Sequence, residues 1–209
     1  MDQAFERVLH RYNKRAAEEA ELFRDSNFDG FKHRDELLLH VGEKVARVLR
    51  DLAVARGAKR IVELGTSYGY STLFLADAAR ATGGRLVTLD VSEKKQAYAR
   101  SQLEEAGLND HVDWLLGDAL TLLDELAGDI DFVLIDIWKD LYVPCFEKLY
   151  PKLADNALIA ADNILYPEEA RPDVARYQAA VRDKLDLQSV LLPIGSGIEL
   201  SCVWREEPR

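Results

Sequence analysis

The chain has 209 residues, 48% hydrophobic and 31% charged, a balance that supports a buried core and excludes the disordered, collagen-like and disulfide-dense classes. Its 27 Lys and Arg stand against 37 Asp and Glu, and the net charge of -10 would repel a phosphate backbone, so no nucleic-acid partner is expected. Residues 1–7 carry neither a basic nor an apolar leader pattern, and no apolar run approaches the roughly 20 residues needed to span a bilayer, so the expectation is a cytoplasmic protein with no membrane partner. Cys145 and Cys202, in a chain with no secretion signal, are expected to be two buried thiols.

No shift of composition marks a linker, and one domain is expected over 1–209, with helices over 1–58 covering a site built on the remainder, 59–209. A helix is predicted over 3–24. Leu38, Val41, Val45, Val48, Leu49 and Leu52 recur at helical spacing and predict a second, amphipathic helix over 34–56. From residue 60 onward short β-rich apolar runs alternate with helical patterns, the signature of a parallel sheet wound with crossover helices. Strands are predicted over 60–64, 86–90, 112–116, 132–137 and 157–162, then 189–193 and 198–203. The last two flank Gly195-Ser196-Gly197 and should pair as an antiparallel hairpin. The fold class is α/β, a doubly wound Rossmann-like sheet.

The first strand runs through Glu63-Leu64-Gly65-Thr66-Ser67-Tyr68-Gly69-Tyr70-Ser71 into a helix, the place where such folds bind a nucleotide-like ligand. Gly65 and Gly69 let the backbone turn sharply and approach that ligand. Asp90 ends the second strand, where an acid can accept from both ribose hydroxyls or cap the next helix with Ser92. Asp118, at the end of the third strand, either reaches an adenine edge or is a helix N-cap. A dinucleotide would want G-x-G-x-x-G around its pyrophosphate, whereas the spacing here is G-x-x-x-G with Glu63 adding negative charge. The G-T-S-Y-G string also fits a hydrolase elbow, but the only later histidine is His111, far from the C-terminal region such a triad requires. S-adenosylmethionine, with ribose and adenine but no phosphate and a cationic sulfonium end, suits Glu63; alternatively that carboxylate caps the loop amides.

Asp136 follows the fourth strand, and Asp162-Asn163 end the fifth. With strand order 3-2-1-4-5, all three open into the crevice beside Glu63. Two carboxylates and an amide oxygen suit a hard divalent cation, magnesium most naturally. Read singly, Asp136 and Asp162 would be strand-end caps, and Lys139 a surface lysine paired with Asp140.

Glu63-Leu64-Gly65, Tyr68 to Ser71, Asp136-x-Trp138-Lys139-Asp140 and Asp162-Asn163 together closely resemble catechol O-methyltransferase, over about residues 35 to 205. The resemblance extends to Val41-Gly42-Glu43-Lys44 and to Pro167. It implies strand order 3-2-1-4-5-7-6 with the last strand antiparallel, S-adenosylmethionine as cofactor, Mg²⁺ or another hard divalent cation on Asp136, Asp162 and Asn163, and Lys139 as the base. The expected cofactor contacts are Val41, Glu63, Gly65, Ser67, Tyr68, Gly69, Ser71, Asp90, Asp118, Ala119, Asp136 and Trp138, with Trp138 packed on the adenine. Leu37, Pro167 and Glu199 are the expected substrate contacts, Glu199 being alternatively a solvent-facing hairpin residue. Two positions depart from the family: Leu37 stands where the animal enzyme has a Trp, and Ile137 replaces an adenine-contacting His.

The implied function is Mg-dependent O-methylation of one hydroxyl of a catechol-like small phenol. The rivals are the same chemistry on a larger substrate such as caffeoyl-CoA, and a nucleotide-binding module without turnover, against which the intact Asp136, Lys139, Asp162 and Asn163 argue. A small phenolic molecule is the expected partner, and a homodimer is compatible with this reading.

Overall fold

The computed structural model describes residues 1–24, 28–30 and 32–205. In chain order the elements are α1 (Gln3–Leu22), α2 (Glu43–Arg56), β1 (Arg60–Leu64), α3 (Tyr70–Thr82), β2 (Arg85–Asp90), α4 (Glu93–Glu105), β3 (Val112–Leu116), α5 (Ala119–Glu125), β4 (Ile130–Ile135), α6 (Tyr142–Leu149), β5 (Leu153–Ala161), α7 (Arg171–Arg182), β6 (Leu187–Leu192) and β7 (Ile198–Val203). The strands form one sheet in the order β3-β2-β1-β4-β5-β7-β6. β1 to β5 pair in parallel, and β7 runs antiparallel to both of its neighbours, as the expected order and hairpin require.

Helices cover both faces of the sheet, so its central strands read as continuous apolar runs. Side chains alternate between two cores, as the strand period of two dictates. Ile61, Phe132 and Leu134 join α1 to α4 on one face, while Val62, Val133 and Ile135 join α5 to α7 on the other. α1 starts where the Asp2 carboxylate accepts the Ala4 and Phe5 N–H groups at 3.0 Å, and it buries Phe5, Val8, Leu9 and Tyr12.

The helix expected over 34–56 begins only at Glu43. Leu39 and Gly42 take φ of +46° and +84°, outside the right-handed helix. Leu37, Leu38 and Val41 are nevertheless buried, so tertiary packing of an irregular segment had mimicked a helical stripe. β4 stops at Ile135 rather than 137, and β5 starts at Leu153 rather than 157. Of the two cysteines, both free, Cys145 is buried as expected but Cys202 is only partly so.

Because β1 to β5 are parallel, their carboxyl ends share one edge of the sheet. The chain leaves β1 for β2 on one side and meets β4 on the other, which opens a crevice between β1 and β4. The approach there is close: a Cβ at Gly65, whose φ is +97°, would lie 2.1 Å from the Asp136 carbonyl oxygen. Gly65→Ala is therefore expected to cost roughly 2–4 kcal/mol, from backbone strain plus the clash. Urea unfolding at constant m-value checks this, and a loss below about 0.5 kcal/mol would mean that the loop moves freely off β4.

Candidate active site

The glycine loop is fixed from three sides. The Gly65 and Thr66 amides donate to the Leu89 carbonyl at 2.9 and 3.1 Å, tying the loop to β2. Asp90 Oδ2 accepts the Ser67 N–H at 2.7 Å and its Oδ1 accepts the Ser92 N–H at 2.8 Å, so this carboxylate joins the loop to the start of α4. Gly69, at φ +88°, leaves no room for a Cβ, which would sit 2.6 Å from Ala99 Cβ and 3.0 Å from the Tyr12 hydroxyl. That hydroxyl donates to the Tyr68 carbonyl at 2.6 Å.

Residues 35–41, ahead of α2, lie over this loop. Tyr68 Oη donates to the Asp35 carbonyl at 2.9 Å, Arg15 to the Glu36 carbonyl at 2.6 Å, and the Leu38 N–H to Glu19 at 2.8 Å. The Arg15 guanidinium also stacks 4.1 Å from the Tyr68 ring centroid. Leu37 is buried within this segment, as is Val41 at its end.

Glu63 is fully buried on the α3 face of β1. Its Oε2 accepts from Thr72 at 2.6 Å and from Thr88 at 2.7 Å; Thr88 in turn meets Thr66 at 2.6 Å, to which Gln96 donates at 3.2 Å. Burial raises the Glu63 carboxyl to about 7, the hydroxyls of Thr72, Ser71 and Thr88 acting against the rise and Asp136 adding to it. Thr72, Thr88 and Gln96 were not singled out in the sequence, where scattered polar residues inside apolar elements carry no motif.

The second group gathers at the ends of β4 and β5. Lys139 Nζ donates to the Ile137 carbonyl at 3.1 Å, to Tyr142 Oη at 2.6 Å and to Asn163 Oδ1 at 2.9 Å, and lies 3.9 Å from Asp136. The lysine thus turns into the crevice and not toward Asp140. Asn163 takes φ +56°, a conformation an Asn tolerates. Burial pushes the Asp162 carboxyl up to about 7, with Asp136 adding to the rise. Burial raises Asp136 as well and lowers Lys139, each opposed by the other's charge.

Among the described residues, the buried side-chain oxygens without a hydrogen-bond partner are Glu63 Oε1, Asp162 Oδ1 and Tyr177 Oη. Two of the three belong to residues expected to bind a cationic group, which is what such orphaned acceptors fit. Among the described residues no three or more His, Cys, Asp and Glu side chains gather as a metal cage. The set at this point is two carboxylates and the Asn163 amide, all-oxygen chemistry that fits a hard cation.

Of the other expected residues, Asp118 and Glu199 make contacts within the fold, and Trp138 and Pro167 are exposed. Asp118 caps α5, accepting the Thr121 N–H at 3.0 Å, with Ala119 as the first helical residue. Trp138 is 56% exposed, with the Arg34 guanidinium 5.7 Å from its ring. Pro167 is exposed after a cis peptide bond to Tyr166. Glu199 is not solvent-facing. It is fully buried, accepts from Gln178 at 2.7 Å and Ser189 at 2.5 Å, and lies 3.5 Å from Arg182, so the structure gives its carboxylate to α7 and β6. Among the described residues no helix is long and apolar enough to cross a membrane.

An O-methyltransferase family model matches residues 14–202. A catechol O-methyltransferase of Niastella koreensis is 35% identical over 131 residues, 61% of this chain and 59% of that protein. Caffeoyl-CoA O-methyltransferase 1 of Eucalyptus globulus is 31% identical over 163 residues, 68% of this chain and 66% of that protein. The chain thus spans less than two thirds of the length of either relative. Among solved structures, the O-methyltransferase TomG of Streptomyces achromogenes, in complex with SAM, superposes with a TM-score of 0.78 at 25% identity, covering 98% of this chain and 91% of that one.

The buried Glu63 carboxyl has a consequence for stability. A carboxyl raised from 4.5 to about 7 in the folded state contributes stability below pH 4.5 that is lost as pH rises toward 7. Glu63→Gln, which does not titrate, should therefore gain on the wild type between those limits, by on the order of 3 kcal/mol above pH 7.5. Denaturant midpoints at pH 4.5 and 8 measure this; a difference between the two proteins that does not change with pH would show that Glu63 ionises freely.

Proposed function

The chain belongs to the O-methyltransferase family, and on that premise we propose that it transfers the methyl group of S-adenosylmethionine to one hydroxyl of a small catechol-like phenol. The observation that carries the reading is the convergence of Asp136, Asp162 and Asn163, with Asp162 Oδ1 unpartnered, beside an inward-turned Lys139. Those three oxygen donors would hold a divalent cation, magnesium foremost, whose chemistry is to bind both oxygens of a vicinal diol and acidify the phenol from its free value near 10.

The protein's own residues do the rest. Glu63, short of a cation, faces the positive end of S-adenosylmethionine. Asp90 holds the loop through Ser67 and keeps lone pairs for the ribose hydroxyls. Lys139 Nζ, whose affinity for its proton is lowered by burial, receives the phenol proton. The phenol oxygen then attacks the methyl carbon, the carbon–sulfur bond breaks with its electron pair on sulfur, and the products are a methyl ether and S-adenosylhomocysteine. Holding oxygen, carbon and sulfur in line is proximity catalysis.

The Eucalyptus relative favours a second reading, a caffeoyl-CoA substrate. A net charge of -10 is a poor match to the CoA phosphates, which supports taking the small phenol as the first reading. Assays on a catechol panel and on caffeoyl-CoA decide between them; turnover of the thioester more than tenfold faster than of any catechol would reverse the order.

Removing metal with EDTA, or replacing Asp162 by Ala, is expected to abolish methyl transfer while calorimetry still detects S-adenosylmethionine binding. Undiminished turnover in a metal-stripped sample would return Asp136 and Asp162 to a purely structural role. Lys139→Ala should lower kcat by roughly 10²–10⁴-fold, the usual worth of a general base, with cofactor binding near wild type. A kcat within about twofold of wild type on an unactivated catechol would remove Lys139 from the mechanism.

A further inference from the structure

Tyr142 opens α6 and is fully buried. Its ring packs edge-on against Tyr177, with centroids 5.4 Å apart and planes at 78°, so aromatic packing fixes where its hydroxyl lies. That oxygen accepts from Lys139 Nζ at 2.6 Å and stands 3.0 Å from the Ile135 carbonyl and 2.9 Å from the Asp162 carbonyl, to which its single proton is offered. One atom thus links the end of β4, the turn after β5 and the lysine between them.

A lysine side chain has four rotatable bonds, and holding it in one geometry costs up to about 2 kcal/mol of rotamer entropy. Of the partners that hold Lys139, the Ile137 carbonyl lies two residues back on its own loop and Asn163 Oδ1 lies on the segment after β5. Tyr142 Oη is the contact anchored in the packed core. A phenylalanine of the same shape would still pack on Tyr177; what it lacks is the oxygen.

We propose that Tyr142 is a positioning residue for the methyl transfer, its hydroxyl holding Lys139 Nζ at the exit of β4 in fixed relation to Asp162. The inference rests on the reading of Lys139 as proton acceptor given above. Tyr142 itself touches neither substrate nor cofactor in this role and acts through the lysine.

The test is a double-mutant cycle with Lys139→Ala, Tyr142→Phe and the pair, reading kcat on an unactivated catechol and KM for S-adenosylmethionine. Tyr142→Phe is expected to lower kcat about 10- to 100-fold, the scale of a misplaced reacting group, with KM for the cofactor within about twofold of wild type. The double variant should be no slower than Lys139→Ala alone. An equal loss in both backgrounds would mean that the hydroxyl acts on the strand ends and not through Lys139, and would overturn the proposal, as would a silent Tyr142→Phe. A silent Lys139→Ala would instead overturn the base assignment on which the inference rests. If Tyr142→Phe fails to fold, NMR of the wild-type protein decides. A held Lys139 shows two resolved Hε resonances, assigned by their loss in Lys139→Met, whereas a single averaged resonance like that of a surface lysine would overturn the proposal.

Discussion

Two carboxyl groups, those of Glu63 and Asp162, are taken out of water along the carboxyl edge of one parallel sheet, and a third, that of Asp136, is largely covered beside them. An ionised carboxylate held there costs several kcal/mol unless positive charge compensates it. Lys139 stands 3.9 Å from Asp136, while Glu63 is met by threonine hydroxyls. Asp162 keeps one oxygen with no partner. Uncompensated carboxyls at this edge are a better match to a sulfonium cofactor, and to the hard metal ion proposed above, than to a pyrophosphate.

That edge exists because of how the backbone is routed. β1 and β4 lie side by side although α3, β2, α4, β3 and α5 separate them in the chain. Gly65 passes directly against the Asp136 carbonyl, so the loop expected to carry the cofactor and the loop proposed to supply a metal ligand share a wall. On the outer side, Asp90 fixes Ser67, and residues 35–38 are tied down by Tyr68, Arg15 and Glu19. Much of the polar chemistry around the loop therefore goes into holding it. Rigid support of this kind is what in-line transfer between two small molecules requires.

The motifs were legible because they are local. Glu63 to Ser71 and Asp136 to Asp140 are contiguous strings at strand ends, where chemistry in α/β sheets concentrates. Asp118 shows the limit of such a reading, since a cap and a ligand contact call for the same residue at the same place, and the structure shows the cap. The segment before α2 departs from the expected helix because burial, not helical geometry, sets its apolar spacing. Tyr142 carried no signal at all: its importance lies in reaching Asp162, 20 residues away, across the β4–β5 junction.

By itself the sequence determined the alternation of strands and helices, the terminal hairpin and the acidic residues at strand ends, because side-chain periodicity, glycine spacing and turn composition are properties of short stretches of chain, while the order of the strands came from the family resemblance. Only the tertiary structure decided which of those acids become desolvated, that Glu199 turns to α7 rather than to substrate or solvent, and which partners, Tyr142 and Asn163, hold Lys139 in the crevice. Those outcomes depend on distances between residues far apart in the chain, and such distances are set by how the two cores pack against the sheet.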